Sequence, residues 1–143
     1  MPIQQGQCTV FRLNCLSGLE NFAVGTPYTY KIALYTSFAD IGQNTTAYTT
    51  NNEVSGGGYT AGGENLVVIP PASDTQNATA YVSFQPVTWS PASFTTAGAL
   101  IYNGTTGAAV AVLNFGADKT AVNTFTITFP TDNSLNAIIR FSN

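Results

Sequence analysis

The sequence predicts an all-β fold: an antiparallel β-sandwich, jelly-roll-like, of about eight strands with one short N-terminal helix. Three observations predict it. From residue 28 onward apolar residues recur at period two. Breakers rich in Gly, Pro and Asn interrupt the chain at short intervals. No long helical segment separates the strand-like runs, as parallel crossovers would require, and two packed sheets avoid the bare edges of an open one. With 143 residues the chain has the length of one domain, residues 1–27 forming an arm and helix and 28–143 the sandwich.

The helix comes first. Cys8, Phe11, Cys15, Leu19 and Phe22 recur at steps of three and four, with Leu16 flanking the stripe, so the spacing predicts a helix from Thr9 to Phe22. Thr9 is its expected N-cap, and Val24-Gly25-Thr26-Pro27 its stop. If that segment is helical, Cys8 and Cys15 sit about 10.5 Å apart, too far for a disulfide; in a non-helical arm they could bridge.

Strands follow. Thr29–Tyr35 carries Tyr30, Ile32 and Leu34 on one face, and Asp40–Asn52 reads as a long exposed loop. Glu53–Gly63 holds five glycines, which predicts bends rather than helix. Asn65–Ile69 stops at Pro70-Pro71; Ala78–Phe84 and Val87–Trp89 come next, the latter before Pro91. Thr95–Tyr102, Ala108–Phe115, Asn123–Phe129 and Ser134–Phe141 complete the series, the first two joined by the turn Asn103-Gly104-Thr105-Thr106-Gly107. The clearest strand is Asn123–Phe129, where Phe125, Ile127 and Phe129 alternate with threonines.

Composition narrows the function. Charged residues are 8% of the chain against an average near 25%, so Thr, Ser, Asn and Gln supply the polar surface. Neutral hydroxyls and amides can be buried at a contact without the desolvation cost of ions. The four basic residues, Arg12, Lys31, Lys119 and Arg140, are scattered and the net charge is −3, which excludes a nucleic-acid footprint. The longest apolar runs, Leu66–Ile69 and Ala108–Leu113, are far shorter than a membrane span. Residues 1–7 lack the pattern of a secretory signal, so synthesis in a cytoplasm is expected.

Groups for catalysis are few. The chain has no histidine, which removes the commonest general base and metal ligand, and two thiols alone cannot close a zinc shell. Seven carboxylates are dispersed through loops and strand ends; Glu53 and Glu64 are the pair that a glycosidase could use, yet bonding to backbone groups in a bent loop, or plain solvation, explains them better. The run Gly56–Gly63 lacks the Lys-Ser/Thr end of a phosphate loop, and no Asp-rich calcium loop is present. The sequons at Asn44, Asn77 and Asn103 follow from an Asn- and Thr-rich composition. No enzyme activity, cofactor, metal or catalytic residue is therefore expected. Trp89 is expected in the core. Tyr28, Tyr48 and Tyr59 lie beside loops and are the candidate partner-binding residues, since tyrosine gives contact area with a polar tip at low entropy cost.

The blocks Lys31-Ile32-Ala33-Leu34-Tyr35-Thr36-Ser37, Thr46-Ala47-Tyr48, Asn52-Glu53-Val54-Ser55-Gly56 and Gly58-Tyr59-Thr60-Ala61-Gly62-Gly63 resemble the signature blocks of small structural proteins of tailed bacteriophages. Later segments, Ala80–Phe84, Gly98–Asn103, Ala109–Gly116, Phe125–Pro130 and Ala137–Arg140, resemble the same group, so the likeness spans nearly the whole chain. One departure is Glu20-Asn21-Phe22, where relatives often carry His before Asn-Phe; no special role is assigned to Glu20. The resemblance implies a virion protein, described variously for head decoration, head fibre or tail. The expectation is a capsid decoration or cement protein on the outer capsid surface. Its partners would be the major capsid protein and other copies of itself, with trimers invited by the threefold junctions of a shell. The alternative is a tail-fibre or receptor-binding domain that reads a host glycan through Trp89 and exposed tyrosines.

Overall fold

Tyr30–Tyr35 (β2) is where the core begins, because this strand is buried on both faces: Tyr30, Ile32, Ala33, Leu34 and Tyr35 are each at most 1% exposed. A central strand covered on both sides reads as a continuous apolar run rather than a clean alternation, and Lys31-Ile32-Ala33-Leu34-Tyr35 fits that. The computed structural model describes residues 2–142. Among them are ten strands and one helix, all strand pairings being antiparallel. The fold is all-β and sandwich-like, as the alternation predicts.

Five strands form the main sheet, in the order β1 (Gly6–Gln7), β8 (Ala109–Thr120), β7 (Thr95–Asn103), β2 and β3 (Glu64–Asn65). Register runs from Tyr30 opposite Asn103 to Tyr35 opposite Gly98. A three-stranded sheet orders β10 (Ile139–Ser142), β5 (Thr79–Phe84) and β4 (Val68–Asp74), and a ribbon pairs β6 (Val87–Ala92) with β9 (Asn123–Ile127). One continuous apolar cluster runs through all three sheets, with Trp89 2% exposed inside it. The accessible surface of 7436 Å² is close to the roughly 7,000 Å² expected for a compact chain of this mass.

Several boundaries differ from the sequence reading, each for a local reason. The helix α1 covers only Thr9–Leu16, and its N-cap is Cys8, whose side chain makes no cap bond; Thr9 is the first helical residue. It stops at Gly18, which sits at φ +74° while its N–H donates to Cys15 O and the Leu19 N–H donates to Asn14 O. That bonding pattern is a Schellman motif, so Leu19 and Phe22 leave the helical stripe. Both cysteines are free; Cys8 is buried and Cys15 half-buried, and burial pushes each thiol up to about 11.

The prolines at 70 and 71 do not end a strand. β4 passes through them with a bulge between Ile69 and Ala72, which an edge strand tolerates because its outward N–H needs no partner. β6 likewise runs past Pro91. β10 begins at Ile139 rather than Ser134, because Asn133 Oδ1 accepts hydrogen bonds from the N–H groups of Leu135 and Asn136 and closes a turn there. β8 runs on to Thr120 and β9 ends at Ile127, although Phe129 stays buried. The loop 40–52 is not wholly exposed: Ile41 is buried, its carbonyl accepts from Gln4 N–H, and Gln43 O accepts from Thr9 N–H, which stitches the loop to the N-terminal arm.

Candidate functional site

Glu53 organises the region that the sequence marks with tyrosines. The glycine-rich segment after it folds back against β2 and β6, with Gly57 packed on Ser93 O, Gly58 on Pro91 O and Gly63 on Ile32 O. This return brings four tyrosines around one carboxylate. Tyr48 Oη donates to Glu53 Oε1 at 2.6 Å, Tyr59 Oη donates to Oε2 at 2.5 Å, and Gly62 N–H donates to Oε2 at 2.8 Å. Tyr59 Oη also accepts from Leu34 N–H at 2.9 Å. Tyr102 Oη donates to Gly62 O, and its ring stacks on Tyr48 at 4.7 Å. Tyr35 Oη donates to Thr49 O at 2.6 Å.

Burial raises the pKa of Tyr59 and of Tyr48, and the hydrogen bond each gives Glu53 raises it further. Burial and the charge of Glu53 lift Tyr35 as well and push Tyr102 up to about 12. At neutral pH these phenols are proton donors and not nucleophiles. The cluster is a clasp that fixes the loop 48–63 on the main sheet, and it occupies both oxygens of Glu53. Glu64 stands apart on β3, exposed.

The three tyrosines expected at a contact surface are placed differently from one another. Tyr59 is 7% exposed, its ring packed near Trp89 and Phe94. Tyr48 is half-buried and committed to the clasp, whereas Tyr28 is half-buried outside it. The sequence places Tyr59 beside glycines, which suggests exposure; the same glycines let the loop fold inward and cover it.

The sequence assigns no role to a second, half-buried carboxylate. Glu20 Oε1 accepts from Tyr30 Oη at 2.9 Å and from Asn103 Nδ2 at 2.8 Å, tying the segment after α1 to β2 and β7, while Oε2 is buried without a partner. Burial raises the Glu20 pKa from its ordinary 4.5, opposed by those hydrogen bonds. The folded chain therefore holds this proton more tightly than the unfolded chain, and stability falls as pH rises from the ordinary value through the raised one. Asp74 works the other way: hydrogen bonds from Ser134 and Asn77 hold it below its ordinary 3.8, and its contribution disappears as pH falls through that lowered range. Thermal melts from about pH 4 to 8 should show Tm declining across the Glu20 window, and Glu20→Gln should flatten that decline. Equal slopes in the two proteins would rule the assignment out.

The outward surfaces are of three kinds. Leu13 and Leu16 on α1 are 59% and 88% exposed, and Leu19 and Val24 just beyond it 53% and 84%. On the inner side of α1 an apolar cleft of about 110 Å³ is lined by Phe11, Cys15, Phe22, Tyr81 and Phe141 among others. A polar concavity of about 470 Å³ is lined by Gln4, Asp40, Gln43, Asn44, Thr45 and Thr46, among others. An open groove of about 550 Å³ runs between the end of β8 and β9. Among the described residues no group of three or more His, Cys, Asp or Glu side chains could hold a metal ion, and no helix is long and apolar enough to cross a membrane.

Comparison with models of known protein families, with curated proteins and with solved structures finds no match for this chain.

Proposed function

We propose that this chain is a structural protein of a tailed-phage particle, a decoration or cement protein that attaches to the major capsid protein on the outer head surface and braces the shell. The observation that carries the reading is the exposed apolar surface on and beyond α1, Leu13, Leu16, Leu19 and Val24, set in a chain with 8% charged residues. Exposed apolar side chains with few ions are what a permanently packed partner needs. Burying it contributes about 25 cal/mol per Å² and raises the barrier to rupture of the shell. The sequence blocks around Lys31–Ser37 and Gly58–Gly63 that resemble phage structural proteins support the same reading, and their residues build β2 and the Glu53 clasp.

Quantitative mass spectrometry of purified virions tests it. Hundreds of copies per particle, retained through a high-salt wash, are expected, because neutral contacts are little screened. A handful of copies would move the protein to the tail. That second reading, a glycan-recognising tail domain, is favoured by one observation, the concavity lined by Gln4, Asp40, Gln43, Asn44, Thr45 and Thr46, whose amides and hydroxyls match sugar hydroxyls. Trp89 is too buried to serve as its platform.

A further inference from the structure

Asparagine followed by glycine is the dipeptide in which a backbone nitrogen most readily attacks a side-chain amide, because glycine carries no Cβ to hinder the approach. This chain has one such pair, Asn103-Gly104, at the end of β7. The turn calls for it: a Cβ at 104 would lie 3.1 Å from Thr29 O and 2.8 Å from the stem of Lys31. Attack needs the Gly104 nitrogen to give up its proton and the Asn103 amide to turn its face to that nitrogen, and the fold opposes both. The Gly104 N–H donates to Thr29 O at 2.6 Å. Asn103 Oδ1 accepts from the N–H groups of Thr105 and Thr106 at 2.9 and 3.1 Å, an Asx turn, while Nδ2 donates to Glu20 Oε1 at 2.8 Å. Three hydrogen bonds thus pin the amide plane. Asn103 itself is 0% exposed, although Gly104, Thr105 and Thr106 beside it are exposed.

We propose that Asn103-Gly104 is a latent deamidation site, silent in the folded chain and active once the end of β7 opens, and that the reaction bars the chain from returning to this fold. In the opened chain the Gly104 nitrogen loses its proton and bonds to Asn103 Cγ. The Cγ–Nδ2 bond breaks, and the amino group leaves with that proton as ammonia. Water then opens the five-membered imide at one of its two carbonyls. One opening leaves aspartate, whose second oxygen would face Glu20 Oε1 where Nδ2 now donates; two carboxylates that close cannot both ionise. The other leaves isoaspartate, which adds a methylene to the main chain at the residue paired with Tyr30 and breaks that register. Local opening is reversible, whereas this chemistry is not. The site is independent of attachment to a virion.

Peptide mapping by mass spectrometry provides the test, on the full chain aged at mildly alkaline pH in buffer and in concentrated urea. In urea Asn103 should deamidate ahead of the other asparagines, and in buffer at least about 100-fold more slowly. Diluted out of urea, aged chain should regain its near-ultraviolet circular dichroism only in the fraction still unmodified at 103, whereas freshly denatured chain regains it in full. Asn103→Asp makes one product directly and should lower Tm by more than roughly 10 °C. Adding Glu20→Gln, whose amide can donate to the new carboxylate, should restore much of that loss. An Asn103→Asp chain too unstable to melt is the same loss in the extreme, and the double variant should then fold. Equal rates in buffer and urea, aged chain that refolds whatever its state at 103, or Asn103→Asp melting like wild type would overturn the proposal, as would a double variant no more stable than Asn103→Asp alone.

Discussion

Gly63→Ala is expected to unfold the protein or to lower its Tm by more than roughly 10 °C, a loss above about 4 kcal/mol. Gly63 sits at φ +76°, and a Cβ there would overlap the backbone carbonyl of Ile32 in the centre of the main sheet. The neighbour is main chain in a strand paired on both sides, so nothing can step aside. Gly107 makes the control, because its φ of +84° is equally unusual but a Cβ would meet no atom within 4 Å. Gly107→Ala should therefore cost only the left-handed backbone strain, about 1 kcal/mol. Thermal melts of the two variants separate the terms, and equal losses would show that crowding against β2 is not what fixes a glycine at 63.

Glu53→Ala should lose about 3 kcal/mol, because one deletion leaves the hydroxyls of Tyr48 and Tyr59 and the N–H of Gly62 without their acceptor. Glu53→Gln should retain part of this, since its carbonyl still accepts while its amide faces a phenol that must turn around. Trp89 is the only tryptophan and its ring lies 6.4 Å from that of Tyr59, so its emission reports the clasp. A red shift well below the Tm is expected for the alanine variant and a smaller one for glutamine. If Glu53→Ala melts like wild type with unchanged emission, the cluster contributes nothing.

The all-β class is legible because a half-buried strand writes itself as alternation, as Phe125 and Ile127 do between threonines, while β2, buried on both faces, writes itself as a continuous apolar run from Ile32 to Tyr35. Boundaries were less so. The stripe from Cys8 to Phe22 keeps helical spacing through Gly18, yet Gly18 takes a left-handed conformation and the chain turns; periodicity registers side chains and not the backbone angle that stops them. Pro70-Pro71 reads as a stop because the sequence does not reveal which strands lie on an edge. The clasp was half visible. The sequence leaves Glu53 between backbone bonding and plain solvation, and the fold takes the first with Gly62; its tyrosine partners come from separate segments, and Tyr59 reads as a surface residue because glycines accompany both exposed loops and tightly returning ones. Glu20 gave no signal, since its partners Tyr30 and Asn103 are joined to it only by the fold.

The placement of β1 beside β8 governs how the chain can be made. Gln5 and Asn114, bonded to each other, are 109 residues apart, and a ribosome adding about 5–20 residues per second needs roughly 5–20 s to travel that distance. For more than half of that interval, from the synthesis of Leu34 until β7 follows at Thr95–Asn103, Ile32 and Leu34 lack the strand that flanks them on one side. The nascent polypeptide must wait with its stickiest strand uncovered, so yield in a foreign host should depend on chaperone supply and on slow growth at low temperature.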